Sequence, residues 1–358
     1  VSTQRRKRSL AVPDENHRHL ASKLTRWFRR NARDLPWRRA DVRGGYAALV
    51  SEAMLQQTQV SRVVESFRAF MARFPDVDAL AVADEQDVLA AWTGLGYYRR
   101  ARHLHRAAKA IVADHESTVP SDPGSLGALP GVGRYTAGAI ASIVFGRRAA
   151  IVDGNVARVL LRLHGRPLSI DDRDTNRWVW AESQRFVDAA SDPGAFNEGL
   201  MELGATVCTP RTARCDACPW NESCVARRDG IVDSIPKSRR AGKRMVIHHH
   251  SLLLRRGDLI RLEQRDDEGL WASMWQVPTI ESSRRLGVAD LQAAIAATGI
   301  ALVPDAPVDR FVHLTTHREV RFHVHQATTR RRRGIWLTVD AALERPLSAP
   351  MRRIIQMA

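Results

Sequence analysis

The sequence predicts two folded domains of different class: a mainly α-helical domain over 13–228 and a smaller α+β domain over 244–358. Three observations predict this. Apolar residues recur three and four positions apart through the first two thirds of the chain, the mark of helices that bury one face. The pattern stops in a polar, basic stretch at 229–243, and beyond it the spacing turns to two, the mark of strands. The length, 358 residues, is that of two ordinary domains. Hydrophobic residues at 44% and charged residues at 26% exclude a chain disordered throughout. No apolar run approaches the ~18 residues of a membrane-spanning helix.

Residues 1–12 are basic and read as a disordered tail. They lack the apolar segment of a secretory signal, so the expected location is cytoplasmic. From Asp14 onward, Leu20, Leu24, Trp27 and Phe28 share a helical face. Val60, Val63, Val64, Phe67, Met71 and Phe74 share another. Asp84 to Trp92 reads as a short helix ended by Gly94 and Gly96. Ala101, Leu104, Ala108 and Ile111 mark the next. Leu129-Pro-Gly-Val-Gly133 is a tight turn before a small-residue helix from Tyr135 to Phe145. Phe196, Leu200, Leu203 and Val207 line a further helix, and all four cysteines follow it. The stretch 229–243 reads as an exposed linker. Beyond it, Met245 to Leu254 and Leu259 to Gln264 read as strands around an Arg255–Asp258 turn. Leu286 to Thr298 reads as one helix, and Val320, Phe322 and Val324 alternate as a strand.

The formal charge is +16, with 55 basic against 39 acidic residues. In 244–358, 17 basic residues face 12 acidic ones, which leaves +5 there and +11 in 1–243. Such an excess favours a polyanion, either nucleic acid or a membrane surface. Only five of the 55 cations are lysine, so coding bias explains the choice of arginine, but not the shortage of acids.

The cysteines are spaced Cys208-x6-Cys215-x2-Cys218-x5-Cys224, four thiolates within 17 residues. Disulfides are disfavoured in a reducing compartment. Zinc sites use two short hooks, and here only one hook is short. The wider loops suit a 4Fe–4S cube, so spacing favours iron–sulfur over zinc, which stays open. Arg211 and Arg214 lie in the loop between the first two cysteines. Either the cluster presents them to phosphate or they are merely solvated.

Gly131 and Gly133 let a backbone come close to an anion, and the helix behind them aligns free N–H groups toward it. No Lys-Ser/Thr pair follows, so the turn is disfavoured as a nucleotide loop and reads as a cradle for a nucleic-acid phosphate. Asp153 lies twenty residues after Gly133, in Val-Asp-Gly-Asn-Val156. It reads as a reactive carboxylate, as a helix cap, or as both.

LPGVGRYTAGAI, then VDGNV, then the four cysteines resemble the helix–hairpin–helix DNA glycosylase superfamily. Within it the chain is similar to the MutY-type adenine glycosylases. That similarity rests on Leu35-Pro-Trp-Arg38, Ser51-Glu-Ala-Met-Leu-Gln-Gln-Thr-Gln59, Trp92-Thr-Gly-Leu-Gly-Tyr-Tyr98 and Phe196-Asn-Glu-Gly-Leu-Met-Glu-Leu-Gly-Ala205. It covers nearly all of 20–228. Gly269-Leu-Trp-Ala-Ser-Met-Trp-Gln-Val-Pro278 resembles the Nudix-like domain of the same family.

The resemblance implies a helix–hairpin–helix glycosylase domain with an iron–sulfur loop, followed by a Nudix-like domain that reads the opposite base. It implies excision of adenine from double-stranded DNA opposite 8-oxoguanine or guanine, by a monomeric, nucleoid-associated protein with a 4Fe–4S cluster on Cys208, Cys215, Cys218 and Cys224. Glu52 becomes the general acid toward the flipped adenine, in an apolar setting that raises its pKa. The plainer reading of Glu52 is a carboxylate placed for the helix dipole. Asp153 becomes the stabiliser of the oxocarbenium ion, supported by Tyr135 and Asn155. Arg38 and Glu198 read the adenine edge, and Leu55 and Trp37 line its pocket. A plain core role suits Trp37 equally. Gln57 and Tyr97 wedge beside the orphaned base, although Tyr97 alone reads as core. Gly131 and Gly133 hold the phosphate. Thr316 and His317 read the opposite base.

Four features qualify the resemblance. The family's His-x-Phe-Ser-His run is His313-Leu-Thr-Thr-His317 here. Thr316 keeps a hydroxyl, but Thr315 loses an aromatic ring, which weakens the expected preference for 8-oxoguanine. Ala40 to Gly45 reads as a short insertion. Only Glu281 and Asp290 follow Val277 before Leu302, too few carboxylates for a Nudix magnesium site, so no pyrophosphatase activity is expected. Arg330 to Arg333 form a basic run for phosphate or solvent. The rival enzyme is an endonuclease III-like lyase, whose hairpin-helix lysine is Tyr135 here and cannot form a Schiff base. A rival of another class is a non-enzymatic iron–sulfur DNA-binding regulator.

Overall fold

A computed structural model describes residues 14–237, 244–304, 308–331 and 333–358. The basic tail, most of the linker's basic run and Arg332 lie outside the described residues. The chain forms two compact units. The first holds the described residues through Gln56, together with Asp76–Ala81 and 106–237. The second holds Gln57–Pro75, Val82–His105 and the described residues from Arg244 onward. The second unit is therefore discontinuous in sequence, beside expected boundaries at 228 and 244.

The first unit is helical. Its core gathers Leu20 and Leu24 of the Asp14–Asn31 helix, Val156, Leu160 and Leu161 of Gly154–Leu163, and Leu200 and Leu203 of Pro193–Thr206. Phe186 stacks between Phe196, at 5.7 Å between ring centroids, and Trp220, at 5.5 Å. The Trp220 indole donates to the Leu20 carbonyl at 2.9 Å, which ties the cysteine loop to the first helix. Aspartate opens helix after helix here. Asp122, Asp153, Asp172 and Asp192 each accept the N–H three residues on, which satisfies a donor that the helix itself leaves unpaired. Gly204 lets two helices approach closely, since a Cβ there would lie 2.7 Å from Asn155 Cβ.

The second unit joins a sheet to helices Val60–Arg73 and Glu85–Ala91 and the first part of Arg99–Asp114. The sheet centres on two long strands, β1 (Met245–Arg256) and β7 (Arg318–Thr329), which run parallel with Met245 opposite Arg318 and Leu254 opposite Ala327. Around them lie β2 (Leu259–Gln264), β3 (Trp275–Gln276), β4 (Thr279–Ser282), β5 (Ile300–Leu302), β6 (Asp309–Leu314) and β8 (Ile335–Thr338). Phe311, Phe322, Val320 and Val277 pack with the Ala349–Ile355 helix on one face. Leu252, Leu254, Leu291 and Ile295 fill the other. The earlier segments dock here through Tyr98, whose hydroxyl donates to the Leu347 carbonyl at 3.1 Å, and Gln86, which accepts the Trp275 indole N–H at 3.0 Å.

The expected helices and both β1 and β2 are present, with ends moved by one or two residues. One expectation is corrected: Leu286 does not begin a helix. The helix runs over Val288–Ile295 behind Gly287 and tightens to a 3₁₀ turn at Ala296–Thr298. Leu286 instead donates its N–H to His250 at 3.1 Å. Among the described residues, no helix is long and apolar enough to cross a membrane.

Candidate active site

The first unit brings Glu52, Tyr135, Asp153 and Glu198 into one electrostatic neighbourhood. Glu52 rides on the Gly45–Leu55 helix between fully buried Val50 and Met54. Burial and then the Asp153 and Glu198 charges push its carboxyl up from 4.5 to about 7, against a hydrogen bond from Tyr135. The apolar setting therefore acts on Glu52 as expected. Tyr135 is the second residue of the Arg134–Ile143 helix. Burial and the two carboxylates hold its phenol well above its ordinary range, so it stays a neutral donor. Its hydroxyl also lies 2.9 Å from Met201 Sδ.

Asp153 is half-buried and caps the Gly154–Leu163 helix. Oδ1 accepts the Val156 N–H at 2.7 Å, and Oδ2 accepts the Asn155 side-chain amide at 3.2 Å. Asn155 is held from the other side by Arg158, which donates to its Oδ1 at 2.8 Å and to the Cys208 carbonyl at 2.8 Å. One turn further on, Arg162 is 2% exposed. It donates to the carbonyls of Thr209, Val232 and Ile235 and lies 3.4 Å from Cys208 Sγ. Two buried arginines thus fasten the helix behind Asp153 to the cysteine loop.

Arg38 and Glu198 do meet, as an ion pair at 2.9 Å. Glu198 is buried and also takes Arg43 at 3.0 Å. Arg38 reaches Glu202 at 3.1 Å, and Glu202 pairs with Arg33 as well. Arg33, Arg43 and Glu202 escaped sequence reasoning. Arg43 lies in the stretch taken for an insertion. The other two carry no local signal, because their partners are more than 150 residues away. Leu55 and Trp37 are half-buried.

Gly131 sits at φ +77°, in the left-handed region that favours glycine. Gly133 does not, at φ −85°, and a Cβ on it would meet nothing within 4 Å. The protein itself has no steric need for a glycine there. The open space lies at the start of a ten-residue helix with no side-chain cap and no acid in its first turn, a setting suited to an anion.

The four cysteines are free thiols around a cavity of about 30 Å³, lined also by Arg162 and Arg227. Burial and mutual repulsion raise Cys215, Cys218 and Cys224, with Cys218 pushed up to about 12. Such a gathering suits a cationic centre that ionises the thiols and offsets their repulsion. Arg214 is spent on its own loop, donating to the Thr206 carbonyl at 2.7 Å, while Arg211 is exposed.

In the second unit, Gln57 and Tyr97 both adopt left-handed backbone, at φ +57° and +49°, and both are exposed. The Tyr97 hydroxyl is hydrogen-bonded to Thr316 Oγ1. A core role for Tyr97 is excluded by its 46% exposure. Thr315 closes its turn, since its hydroxyl accepts the Arg318 N–H at 3.0 Å. Thr316 and His317 are exposed on that turn. Glu281 pairs with Arg265 and His249, and Asp290 with Arg284.

Comparison with known proteins gives the family of the chain. A profile of the HhH-GPD superfamily of base excision DNA repair proteins matches residues 50–183, and a NUDIX domain profile matches 250–357. The adenine DNA glycosylase of Rattus norvegicus is 32% identical over 398 residues, covering 93% of this chain and 77% of that protein. The one from Mycobacterium tuberculosis is 42% identical over 228 residues, covering 62% and 73%. The human one is 46% identical over 214 residues, 57% of this chain but only 39% of the human protein. Among solved structures, a thermostable thymine-DNA glycosylase aligns with a TM-score of 0.53 at 25% identity, over 60% of this chain and 98% of that one. A non-covalent endonuclease III–DNA complex aligns at 0.51 and 19%, over 62% and 99%, a likeness of fold.

Proposed function

Because the chain belongs to the adenine DNA glycosylase family, we propose that it is a monofunctional N-glycosylase of base excision repair that removes adenine mispaired with 8-oxoguanine or guanine in double-stranded DNA. One observation carries the reading: a carboxyl pushed up to about 7, Glu52, shares its surroundings with a second carboxylate, Asp153. One carboxyl held protonated beside a second carboxylate is what glycosidic cleavage requires.

Adenine is a poor leaving group as an anion, so a proton must reach it as the bond breaks. Glu52, protonated near neutral pH, delivers that proton to N7 and afterwards takes one from the attacking water. Asp153 balances the positive charge that develops on the sugar. Its orientation is held by the Val156 N–H and the Asn155 amide, so little reorganisation is needed when the charge appears. Tyr135 donates to Glu52 and has no amine with which to trap the sugar, which leaves the abasic strand uncut. Arg38 and Glu198 read the adenine edge, at the expense of part of their mutual ion pair, and Leu55 and Trp37 line the pocket. Gly131, Gly133 and Arg211 face the phosphate backbone.

Cys208, Cys215, Cys218 and Cys224 hold a 4Fe–4S cluster, whose part is to set the loop that bears Arg211 and Arg214. Gln57 and Tyr97 fill the gap beside the orphaned base, and Thr316 and His317 read it. The protein works as a monomer.

Single-turnover assays on duplexes with adenine opposite 8-oxoguanine, guanine and cytosine test the reading. Adenine release should rank in that order, with no strand cleavage. Binding of all three duplexes without release of adenine would sink it.

A further inference from the structure

Arg100 has no role in the function proposed above, yet one end of its guanidinium, Nη2, bonds to two carbonyls of one turn. Between the Glu85–Ala91 and Arg99–Asp114 helices the chain passes three residues in left-handed backbone: Gly94 at φ +91°, Gly96 at +68° and Tyr97 at +49°. Two are glycines, which adopt it freely. Tyr97 is not, and a side chain persists there only where its surroundings over-determine it.

Arg100 supplies much of that determination. Its Nη2 lies 3.1 Å from the Leu95 carbonyl, 3.0 Å from the Gly96 carbonyl and 3.0 Å from the Thr58 hydroxyl, which share its two N–H groups. Its backbone N–H donates to the Tyr97 carbonyl at 2.8 Å. The guanidinium lies 5.6 Å from the Tyr97 ring centroid and 5.5 Å from that of Trp92. The Trp92 indole adds a bond to the Gly96 carbonyl at 3.2 Å. The outer end of the same tyrosine is exposed and meets Thr316.

We propose that Arg100 is a positioning residue for opposite-base recognition, holding the Leu95–Tyr97 turn so that the Tyr97 phenol stands against the Thr316 hydroxyl. The inference rests on reading Tyr97 and Thr316 as the residues that meet the opposite base. A planar, delocalised cation can bond two carbonyls in its plane while its face lies on a ring. A lysine ammonium at this position keeps the charge but has no face to offer.

The test is a double-mutant cycle on the ratio of single-turnover adenine release opposite 8-oxoguanine to release opposite guanine. Arg100→Lys and Tyr97→Ala should each lower that ratio by about tenfold. The double variant should fall no lower than Tyr97→Ala alone, because Arg100 acts through Tyr97. Thermal melting monitors the fold, and Arg100→Gln replaces the lysine variant if that does not fold. A merely structural arginine would slow both duplexes alike and leave the ratio unmoved, which overturns the proposal. Effects that multiply in the double variant overturn it too. If Tyr97→Ala leaves the ratio unchanged, or the intact protein has a ratio near one, the opposite-base reading itself fails and takes the proposal with it.

Discussion

Asp153 accepts the Val156 N–H at 2.7 Å, the same bond that Asp122, Asp172 and Asp192 make to the third residue of their own helices. Asp76 makes it too, so by its local geometry Asp153 is one cap among several. Its distinction is the company it keeps: Asn155 on its other oxygen, and Glu52 near enough to feel its charge.

The two roles can be separated by substitution. Asparagine caps a helix about as well as aspartate, so Asp153→Asn should leave the melting temperature nearly unchanged. It removes the charge proposed to stabilise the sugar cation, so single-turnover adenine release should fall by about a thousandfold or more. Asp153→Ala should lose the same activity and also about 1 kcal/mol of stability with the cap. Melting and rate measured on the same preparations check both, and an active Asp153→Asn protein would remove Asp153 from the chemistry.

Glu52 predicts opposite pH effects on function and on stability. As an acid it must be protonated, so adenine release should be level below about pH 7 and fall roughly tenfold per pH unit above it. The unfolded chain releases this proton near 4.5, while the folded chain keeps it to about 7. Between those values the folded state holds more protons, so the contribution of Glu52 to stability is complete below 4.5 and is lost as pH rises through 7, by on the order of 3 kcal/mol. Glu52→Gln, inactive, should melt higher than the intact protein at pH 8 and equal to it at pH 4. Equal melting at both pH values would mean that Glu52 is not held in this state.

The sheet unit carries its own pH dependence in four imidazoles on one face of β1 and β7. His248 meets His323 at 3.0 Å and His250 meets His325 at 3.2 Å, with the rings nearly parallel. His250 Nε2 accepts the Leu286 N–H, so it carries no proton there. Burial, then neighbouring imidazoles and Arg285 and Arg310, hold His250, His323 and His325 at about 4. His248 is lowered by burial, Arg321 and Arg285, against Glu319. An unfolded chain would take up these protons near 6.5. Stability is therefore present above 6.5 and is lost as pH falls toward 4. Hydrogen exchange along β1 and β7 should accelerate over that interval, and replacing both members of the His250–His325 pair with apolar residues should flatten it.

The cysteine cavity predicts composition. Protein purified without oxygen should carry about four iron and four sulfide per chain, with broad visible absorbance, and little zinc. Cys218→Ser should lose the iron. Because Arg158 and Arg162 join the cysteine loop to the Asp153 helix, it should also lower the melting temperature. One zinc per chain would leave the cysteine site standing and reverse the choice of metal.

Much of this was legible in the chain. Helical periodicity located the helices because each buries a stripe at fixed spacing. The cysteine cluster was legible because all four thiols fall within one short stretch of chain. Glu52 became legible only through the Ser51–Gln59 motif, since its apolar neighbours alone fit a carboxylate placed for the helix dipole equally well. The short strands β3 and β5 were not, since two or three residues carry no period.

The sequence by itself determined the domain classes, the close spacing of the four cysteines and the family motifs that single out Glu52 and Asp153, because these depend on residue type and local spacing. Only the tertiary structure decided who pairs with whom. Glu198 shares itself between Arg38 and Arg43, Arg158 ties Asn155 to the cysteine loop, and Arg100 holds a tyrosine turn against Thr316. A buried charge takes whatever partner the packed chain brings within reach, from anywhere in the sequence.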